Sequence, residues 1–303
     1  MDKTVRSLNC IIHITSCERF NELRITLVDL REKNPEIPIV VIDDNSYSVS
    51  QAEALKNNFS IEVIQNQTKK GVLRNRNDLL NNYFPSRFSI NLDDDANFIT
   101  PNFTDLIEEY FNKYPEVGLL AFNIFWSENY FNDIPKSCAN VSYVKGFVGC
   151  GCAWRKEAWE LIPDYPIWYG FYGEEDFASL HLFINGKKTL FTPDIVVHHR
   201  VNLKHRRLKE DNFRRRYMSL RTGWYNIFMF YPMDKAFCYF FSSIKHQLFK
   251  VKNKDFSVIL SVIIALYGLI INIGKIFKQR TPMNNFQLEE YNAFKNTVIY
   301  GEI

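Results

Sequence analysis

Residues 88–95 read Phe-Ser-Ile-Asn-Leu-Asp-Asp-Asp, a short apolar run that ends in three adjacent carboxylates. A run of this length, bounded by helix-like stretches, is typical of a buried parallel strand. Adjacent carboxylates repel one another by about 4 kcal/mol per close pair at an effective dielectric of about 20 unless a cation neutralises them. Divalent hard cations take oxygen ligands and bridge to phosphates. The stretch predicts a strand that ends at a metal site, with a solvated acidic turn as the alternative.

Other apolar runs alternate with helix-like stretches along the chain. They occupy residues 8–15, 37–42, 61–64, 119–125 and 189–197. Continuous apolar runs of this kind are typical of parallel strands that are buried on both faces of a sheet. In such sheets, ligands bind at the carboxyl ends of the strands. We therefore expect an α/β fold with a mostly parallel, Rossmann-like sheet flanked by helices, and a site at that edge of the sheet.

A second acidic group, Asp43-Asp44-Asn45-Ser46, ends the run at 37–42. An aspartate there can accept a hydrogen bond from a nucleotide base, although Asp-Asn-Ser is also ordinary turn chemistry. Further along, Arg74-Asn75-Arg76-Asn77 places cations ahead of the strand at 88–92. Because the arginine fork matches phosphate oxygens, a diphosphate contact is one interpretation and a solvated basic turn is the other.

Two later segments carry groups for acid–base or metal chemistry. Glu174-Glu175-Asp176 follows a loop rich in glycine and aromatic residues, where neighbouring carboxylates raise one another's pKa. Such a carboxylate suits a general base, whereas acids at a helix N-terminus are the structural alternative. His199 follows the run at 189–197, and a neutral imidazole there could bind the same metal or simply pack in the core.

The overall composition indicates a globular cytosolic protein. The chain has 303 residues, of which 46% are hydrophobic and 23% charged, with a formal net charge of +3. No helix-turn-helix, zinc-finger or RNP-type motif accompanies its basic residues, so we expect no nucleic-acid partner. The six cysteines lack a framework spacing and the chain starts without a signal-peptide pattern, so we expect reduced thiols in the cytosol.

The composition becomes basic and aromatic near residue 205, which predicts one domain over 1–205 and a helical region over 206–303. Residues 256–274 contain no charged side chain and just reach the roughly 18–20 residues that cross a bilayer. Spanning the membrane, dipping into one leaflet and packing on its own domain all stay open. The arginines expected to face an anionic leaflet are Arg206, Arg207, Arg214, Arg215 and Arg216.

In this order, the segments resemble the inverting glycosyltransferases of family two, which have the GT-A fold. Val40–Ser46 is similar to the family's V-x-D-D-x-S strand end, and Asn91–Asp95 to its D-x-D motif. The other similar segments are Gly71 with Arg76-Asn77, Gly149–Ala158, Gly173–Asp176 and Pro193–His199. Ser16-Cys17-Glu18 departs from the family's usual Tyr-Asn. The resemblance covers roughly residues 8–230.

The resemblance implies roles for individual residues. Those expected to bind the nucleotide sugar are Thr15, Arg19, Asp43, Asp44, Arg76, Asn77, Asp93 and Asp94. Asp95, Asp93 and His199 are expected to bind a divalent metal, Mn²⁺ or Mg²⁺. Asp176 is expected to be the general base, with Glu175 as the alternative, because the spacing to Gly186 permits both registers.

The resemblance also implies a reaction and partners. We expect a direct displacement with inversion, from a UDP-sugar by default, with dTDP or GDP open. The acceptor would be a glycan or lipid-linked glycan at the cytoplasmic face of a membrane, as in bacterial surface polysaccharide or lipopolysaccharide assembly. A nucleotidyltransferase that makes sugar nucleotides and a non-catalytic, membrane-anchored binding module are the two rivals. The former normally has a glycine-rich loop after its first strand, and residues 15–21 contain no glycine.

Overall fold

A computed structural model of the protein describes residues 9–127, 139–201, 209–250 and 256–296, with only the backbone of 209–211. Nine strands form one sheet in this part of the chain. They are β1 (Cys10–Ser16), β2 (Ile39–Asp43), β3 (Glu62–Gln65), β4 (Phe88–Asp93), β5 (Ala96–Phe98), β6 (Val117–Ser127), β7 (Ser142–Val144), β8 (Gly151–Arg155) and β9 (Lys188–Arg200). Their order is β3-β2-β1-β4-β8-β6-β9-β5, and β7 pairs with β9.

Ten α-helices accompany the sheet in the described ranges. The first six are α1 (Phe20–Lys33), α2 (Val49–Phe59), α3 (Val72–Asn82), α4 (Phe103–Lys113), α5 (Lys156–Trp159) and α6 (Glu174–Ile184). The C-terminal four are α7 (Lys209–Phe230), α8 (Met233–Lys250), α9 (Ser257–Lys278) and α10 (Asn285–Ala293). The expected α/β fold, with a central sheet flanked by helices, is confirmed.

The N-terminal half of the sheet is parallel and places the ends of three strands together. β1 pairs in parallel with both β2 and β4, so Thr15 lies beside Asp93 and Ser16 beside Asp43. Beyond β4 the sheet is mixed, because β8 runs antiparallel to both β4 and β6. All five residues of β8 are buried. A strand buried on both faces has the same apolar pattern in either direction, so the sequence could not reveal this reversal.

Two hydrophobic clusters cover the two faces of the sheet. Alternate residues of β1 enter different clusters, as the pleat requires. One cluster packs against α1, α2 and α4. The other takes in α3, α5 and α6, and also Trp224, Tyr225 and Phe230 of α7. The C-terminal helices therefore share a core with the sheet. The predicted boundary near 205 falls outside the described residues, so the division into domains stays a prediction.

Candidate active site

A cleft of about 610 Å³ opens at the carboxyl edge of β1, β2 and β4. Its walls come from the ends of these strands, from α3, from residues 147–150 and from the first turn of α6. The parallel pairing of the strands explains the position, because all three end at the same edge of the sheet. Polar side chains from distant parts of the sequence therefore meet in one cavity.

Three side chains at the end of β4 and on β9 form a candidate metal centre. One potential ligand atom from each of Asp93, Asp95 and His199 lies within 4.8 Å of the others. His199 Nε2 is 3.1 Å from Asp95 Oδ1, yet no hydrogen bond of normal geometry reaches that buried oxygen among the described residues. Oxygen and imidazole ligands of this kind suit Mn²⁺ or Mg²⁺. This set of two carboxylates and an imidazole fits a divalent cation.

Arg19 supplies positive charge to the same acidic group. Its Nη2 donates to Asp95 Oδ2 at 2.5 Å, and its Nη1 lies 3.4 Å from Asp94 Oδ1. Although burial opposes ionisation, His199 and Arg19 hold the pKa of Asp95 well below its usual value. In contrast, burial raises the pKa of Asp94 to about 7, despite the opposing charge of Arg19. Asp94 also accepts a hydrogen bond from Ser16 at 2.6 Å.

Arg76 connects the metal centre to the start of α6. Its Nη2 donates to Asp93 at 3.0 Å and to the carbonyl of Gly149 at 3.2 Å, while its Nη1 donates to Glu174 at 3.2 Å. Burial lowers the pKa of the guanidinium, but the charges of Asp93 and Glu174 outweigh burial and raise it. Arg76 therefore stays a fixed cation at the centre of the cleft.

The first turn of α6 presents three carboxylates in different directions, because successive helical residues are about 100° apart. Gly173 precedes them with φ of +82°, and a Cβ there would lie 2.6 Å from Thr222. Glu175 accepts a hydrogen bond from the backbone N–H of Gly149 at 3.1 Å, whereas Asp176 opens to the cleft. Burial and the charge of Glu174 raise the pKa of Glu175 well above its usual value and that of Asp176 to about 6.

Gly149 allows these groups to approach one another closely. A Cβ at this position would lie 2.8 Å from Arg76 Nη1 and 2.9 Å from Glu175 Oε1. Any side chain here would therefore push apart the arginine and the carboxylate. The small-residue stretch at 149–152 thus has a steric role in the cleft, beyond its place in the core.

The two carboxylates at the end of β2 accept hydrogen bonds mainly from backbone N–H groups. Asp44 accepts hydrogen bonds from the N–H groups of Lys70 at 2.8 Å and Gly71 at 2.9 Å, and from Asn66 Nδ2 at 2.9 Å. Although burial opposes this, these hydrogen bonds lower the pKa of Asp44. Asp43 is buried and accepts from the backbone N–H groups of residues 46 and 47. Both carboxylates hold loops in place.

The structure brings most of the expected site residues into the cleft. Those that line it are Thr15, Arg19, Asp44, Arg76, Asp93, Asp94, Glu175, Asp176 and His199. Asp95 lies directly behind them, within the candidate metal centre. Two further expected residues, Asp43 and Asn77, do not line the cleft either. Asp43 lies beneath the turn it holds, and the Asn77 amide exchanges two hydrogen bonds of 2.9 Å with the backbone of Tyr165.

The family model described as "Glycosyl transferase family 2" matches residues 11–146. This segment contains β1 to β4, both acidic strand ends and Arg76. The resemblance to this family is therefore confirmed over these residues. They include Asp93 and Asp95 of the candidate metal centre, whereas His199 on β9 lies outside the match.

Solved structures agree on the fold. The chain aligns with GalNAc-T7, crystallised with UDP, GalNAc and Mn²⁺, at 17% identity over 63% of this chain and 42% of that one, with a TM-score of 0.53. TarS of S. aureus aligns at 14% identity over 69% of this chain and 38% of its own, with a TM-score of 0.52. TarS 1–349 in complex with UDP aligns at 15% identity over 72% of this chain and 65% of that one, with a TM-score of 0.52. The chain thus spans less than two thirds of each. No curated protein matches it.

Several residues of the cleft were not predicted from sequence. Trp126 lies beside His199 with ring centroids 6.3 Å apart, and Phe171 and Tyr172 line the opposite wall. Arg215 was expected to face lipid, but it lines the cleft and donates to the Tyr172 hydroxyl at 2.9 Å. Tyr172 belongs to the loop rich in glycine and aromatic residues that precedes Glu174, and this composition was the one sequence feature that pointed to it. The position of Arg215 depends on how α7 packs, which its local sequence does not reveal.

Proposed function

We propose that this glycosyltransferase transfers a sugar from a nucleoside-diphosphate donor to a hydroxyl acceptor, with a bound Mn²⁺ or Mg²⁺ and inversion of the anomeric centre. The observation that carries the proposal is the cluster of Asp93, Asp95 and His199 beside the mostly buried guanidinium of Arg76, which is 12% exposed. This cluster combines a cation-binding centre with a fixed positive charge in one cleft. A diphosphate leaving group needs both, because negative charge grows on its oxygens as the glycosidic bond breaks.

The donor would lie along the edge of the sheet. Asp93, Asp95 and His199 would hold the metal, which stabilises charge on a diphosphate when it is bound. Arg19 is 43% exposed and faces the cleft, so its guanidinium can reach phosphate oxygens while it pairs with Asp95. The loop held by Asp44 forms the neighbouring wall and would take the nucleoside. The bound UDP and Mn²⁺ of the GalNAc-T7 structure support a UDP-sugar and Mn²⁺ as the first choices.

The general base would come from the first turn of α6. Glu175 is oriented by the Gly149 amide and lies next to Arg76. Its raised pKa favours proton uptake from an acceptor hydroxyl as that hydroxyl attacks. These contacts favour Glu175 over Asp176, which opens to the cleft without an orienting amide in the described contacts. Inversion requires this base to act on the face of the sugar opposite the departing diphosphate.

The acceptor would enter between α6 and α7. Phe171 and Tyr172 give an aromatic wall of the kind on which sugar rings pack, and Arg215 supplies a cation beside it. This chemistry suits a glycan that also carries an anionic group. We propose a glycan or lipid-linked glycan at the cytoplasmic face of the membrane, in surface polysaccharide or lipopolysaccharide assembly.

A donor panel tests the proposal. Thermal shift of the full chain with UDP-, dTDP- and GDP-sugars, with and without Mn²⁺, should give stabilisation by one base class that depends on metal. Saturation at about 100-fold over the dissociation constant stabilises a fold by about 2.7 kcal/mol. Slow metal-dependent release of the free sugar from that donor should accompany binding. Formation of sugar nucleotides from sugar phosphates and nucleoside triphosphates would support the nucleotidyltransferase instead, and no turnover of any kind would support the binding module.

A further inference from the structure

Helix α9 exposes a wide face of large apolar side chains, which is unusual in a water-soluble protein. The face that packs on the protein carries the small residues Ser261, Ala265 and Gly268 together with Val258, Val262, Leu269 and Ile276. The opposite face carries large apolar side chains that are exposed, and it reads Phe256, Ile259, Leu260, Ile263, Tyr267, Ile270, Ile271 and Ile273. A packed face that includes small residues, combined with an outer face of large exposed apolar residues, is typical of a helix whose outer face contacts lipid.

The charges around this face match an anionic lipid surface. No charged residue occurs between Phe256 and Gly274. Lys275 and Lys278 are exposed at the C-terminal end of α9, and Lys245 and Lys250 are exposed on the neighbouring helix α8. Basic residues beside an apolar face are attracted to anionic headgroups. Helix α8 also exposes Phe237, Phe241 and Phe249, aromatic rings of the kind that settle at the interface.

Helix α9 is attached to α7 along its whole length. At its start, Arg216 donates to the hydroxyl of Ser257 at 3.0 Å. In the middle, the Tyr225 hydroxyl donates to the carbonyl of Gly268 at 2.8 Å, where a Cβ would lie 2.5 Å from the side chain of Arg221. Just beyond its end, Arg280 donates to the carbonyl of Tyr231 at 2.8 Å. Lipid can therefore reach only one side of the helix.

The chain after α9 returns to the sheet. The Tyr291 hydroxyl on α10 donates to the carbonyl of Lys145 at 2.6 Å, and the N–H of Lys295 donates to the carbonyl of Tyr143 at 3.2 Å. Tyr143 belongs to β7, which pairs with β9. Both ends of α9 are thus fixed to the same body, so the helix cannot cross a bilayer without breaking these contacts.

We propose that α9 lies in the plane of an anionic membrane surface, with its outer apolar face among the acyl chains and the cleft on the water side. The helix has 22 residues and is about 33 Å long. Because α7 holds α9 through Tyr225 and lines the cleft through Arg215, the cleft would sit at a fixed position relative to the lipid surface. An acceptor attached to a lipid would reach the cleft without leaving the membrane.

Flotation of the full chain with vesicles of equal parts phosphatidylcholine and phosphatidylglycerol tests docking. The I263N/I270N variant changes side chains that are 55% and 68% exposed on the outer face, so it should fold normally. It should lose vesicle binding by roughly 10-fold or more, because two large apolar contacts with the acyl chains are removed. The matched control is I25N/V28N, which changes residues 47% and 45% exposed on α1, on the other face of the sheet. The control should bind like the wild type.

The outcomes separate lipid from other occupants. A wild type that stays unbound, or an I263N/I270N variant that floats like the wild type, would overturn the proposal. So would a wild-type dimer in solution that this variant converts to monomer, since the face would then cover a second copy. Orientation has its own readout, a C-terminal peptide tag that should be cleaved completely by protease added outside the vesicles. Protection of the tag would show that α9 spans. Binding of a nucleotide sugar is not used in either test, so failure here leaves the proposed reaction untouched.

Discussion

The acidic groups at the ends of β2 and β4 look alike in sequence but differ in their partners. Asp44 receives its hydrogen bonds from two backbone amides and Asn66, so its carboxylate is fully engaged within the protein. Asp95 after β4 and its neighbour His199 on β9 each keep a buried polar atom without a hydrogen bond among the described residues. A saturated carboxylate stabilises a loop, whereas an unsaturated one can take a ligand. The comparison distinguishes structural acids from candidate metal ligands.

The largest expected effect is that of Asp95→Asn. This isosteric change removes a charged ligand from the candidate metal centre and leaves the side-chain volume unchanged. We expect metal-dependent donor binding and transfer to fall by at least about 10³-fold, comparable to the loss of a main electrostatic stabiliser. Circular dichroism should show the wild-type fold. Full transfer by this variant, or transfer by the wild type that EDTA leaves unchanged, would remove the basis for a metal centre.

The general base should show the next largest effect. We expect Glu175→Gln to lower turnover by at least about 10²-fold while donor binding persists, because only proton transfer is lost. Asp176→Asn is the matched control and should keep more activity. The opposite result would assign the base to Asp176.

The pH profile provides an independent check on the base. Because a base acts when deprotonated, the rate should fall as pH falls through its pKa, which burial and Glu174 raise above the usual value. For Asp176, whose pKa is raised to about 6, the fall would be centred near that pH. Steady-state rates measured from acid to neutral pH in each variant would show whether Glu175→Gln removes this fall in rate at low pH.

At the end of β2 the expected effect is on stability. Asp44→Asn should lower the free energy of unfolding by about 1–3 kcal/mol, because an amide cannot accept all the hydrogen bonds that the carboxylate accepts. Since folding lowers the pKa of Asp44, its contribution is complete above the usual pKa and is lost as pH falls through the folded value. Urea unfolding should thus show the difference between variant and wild type shrinking below about pH 4. An equal difference at all pH values would argue against this role.

The smallest expected effect concerns Asn77. Its amide holds the Tyr165 backbone, so Asn77→Ala should cost about 1–2 kcal/mol of stability with little change in donor affinity. Thermal unfolding and donor titration of the same sample would separate the two quantities. A large loss of donor affinity in a stably folded variant would return Asn77 to the binding site.

Much of this arrangement was predictable from local patterns. The apolar runs gave the strands, and the carboxylates that follow β4 gave the site edge, because parallel strands end together. The roles of Asp44 and Asn77 were not predictable, since their partners are 26 and 88 residues away in sequence. The direction of β8 was not predictable either. All its residues are buried, so its sequence shows no alternation of apolar and polar residues from which the strand's position in the sheet could be inferred. Arg215 reaches the cleft through the packing of a whole helix.

Calorimetric titration of the wild type with UDP, in Mn²⁺ and then in EDTA, tests the central claim most directly. Asp95→Asn and Asp44→Asn serve as the paired variants, one from each strand end. The account predicts that UDP binds the wild type only with Mn²⁺, that Asp95→Asn loses this binding, and that folded Asp44→Asn still responds to Mn²⁺. Equal UDP affinity in Mn²⁺ and EDTA, or Mn²⁺-dependent binding that survives in Asp95→Asn, would contradict it.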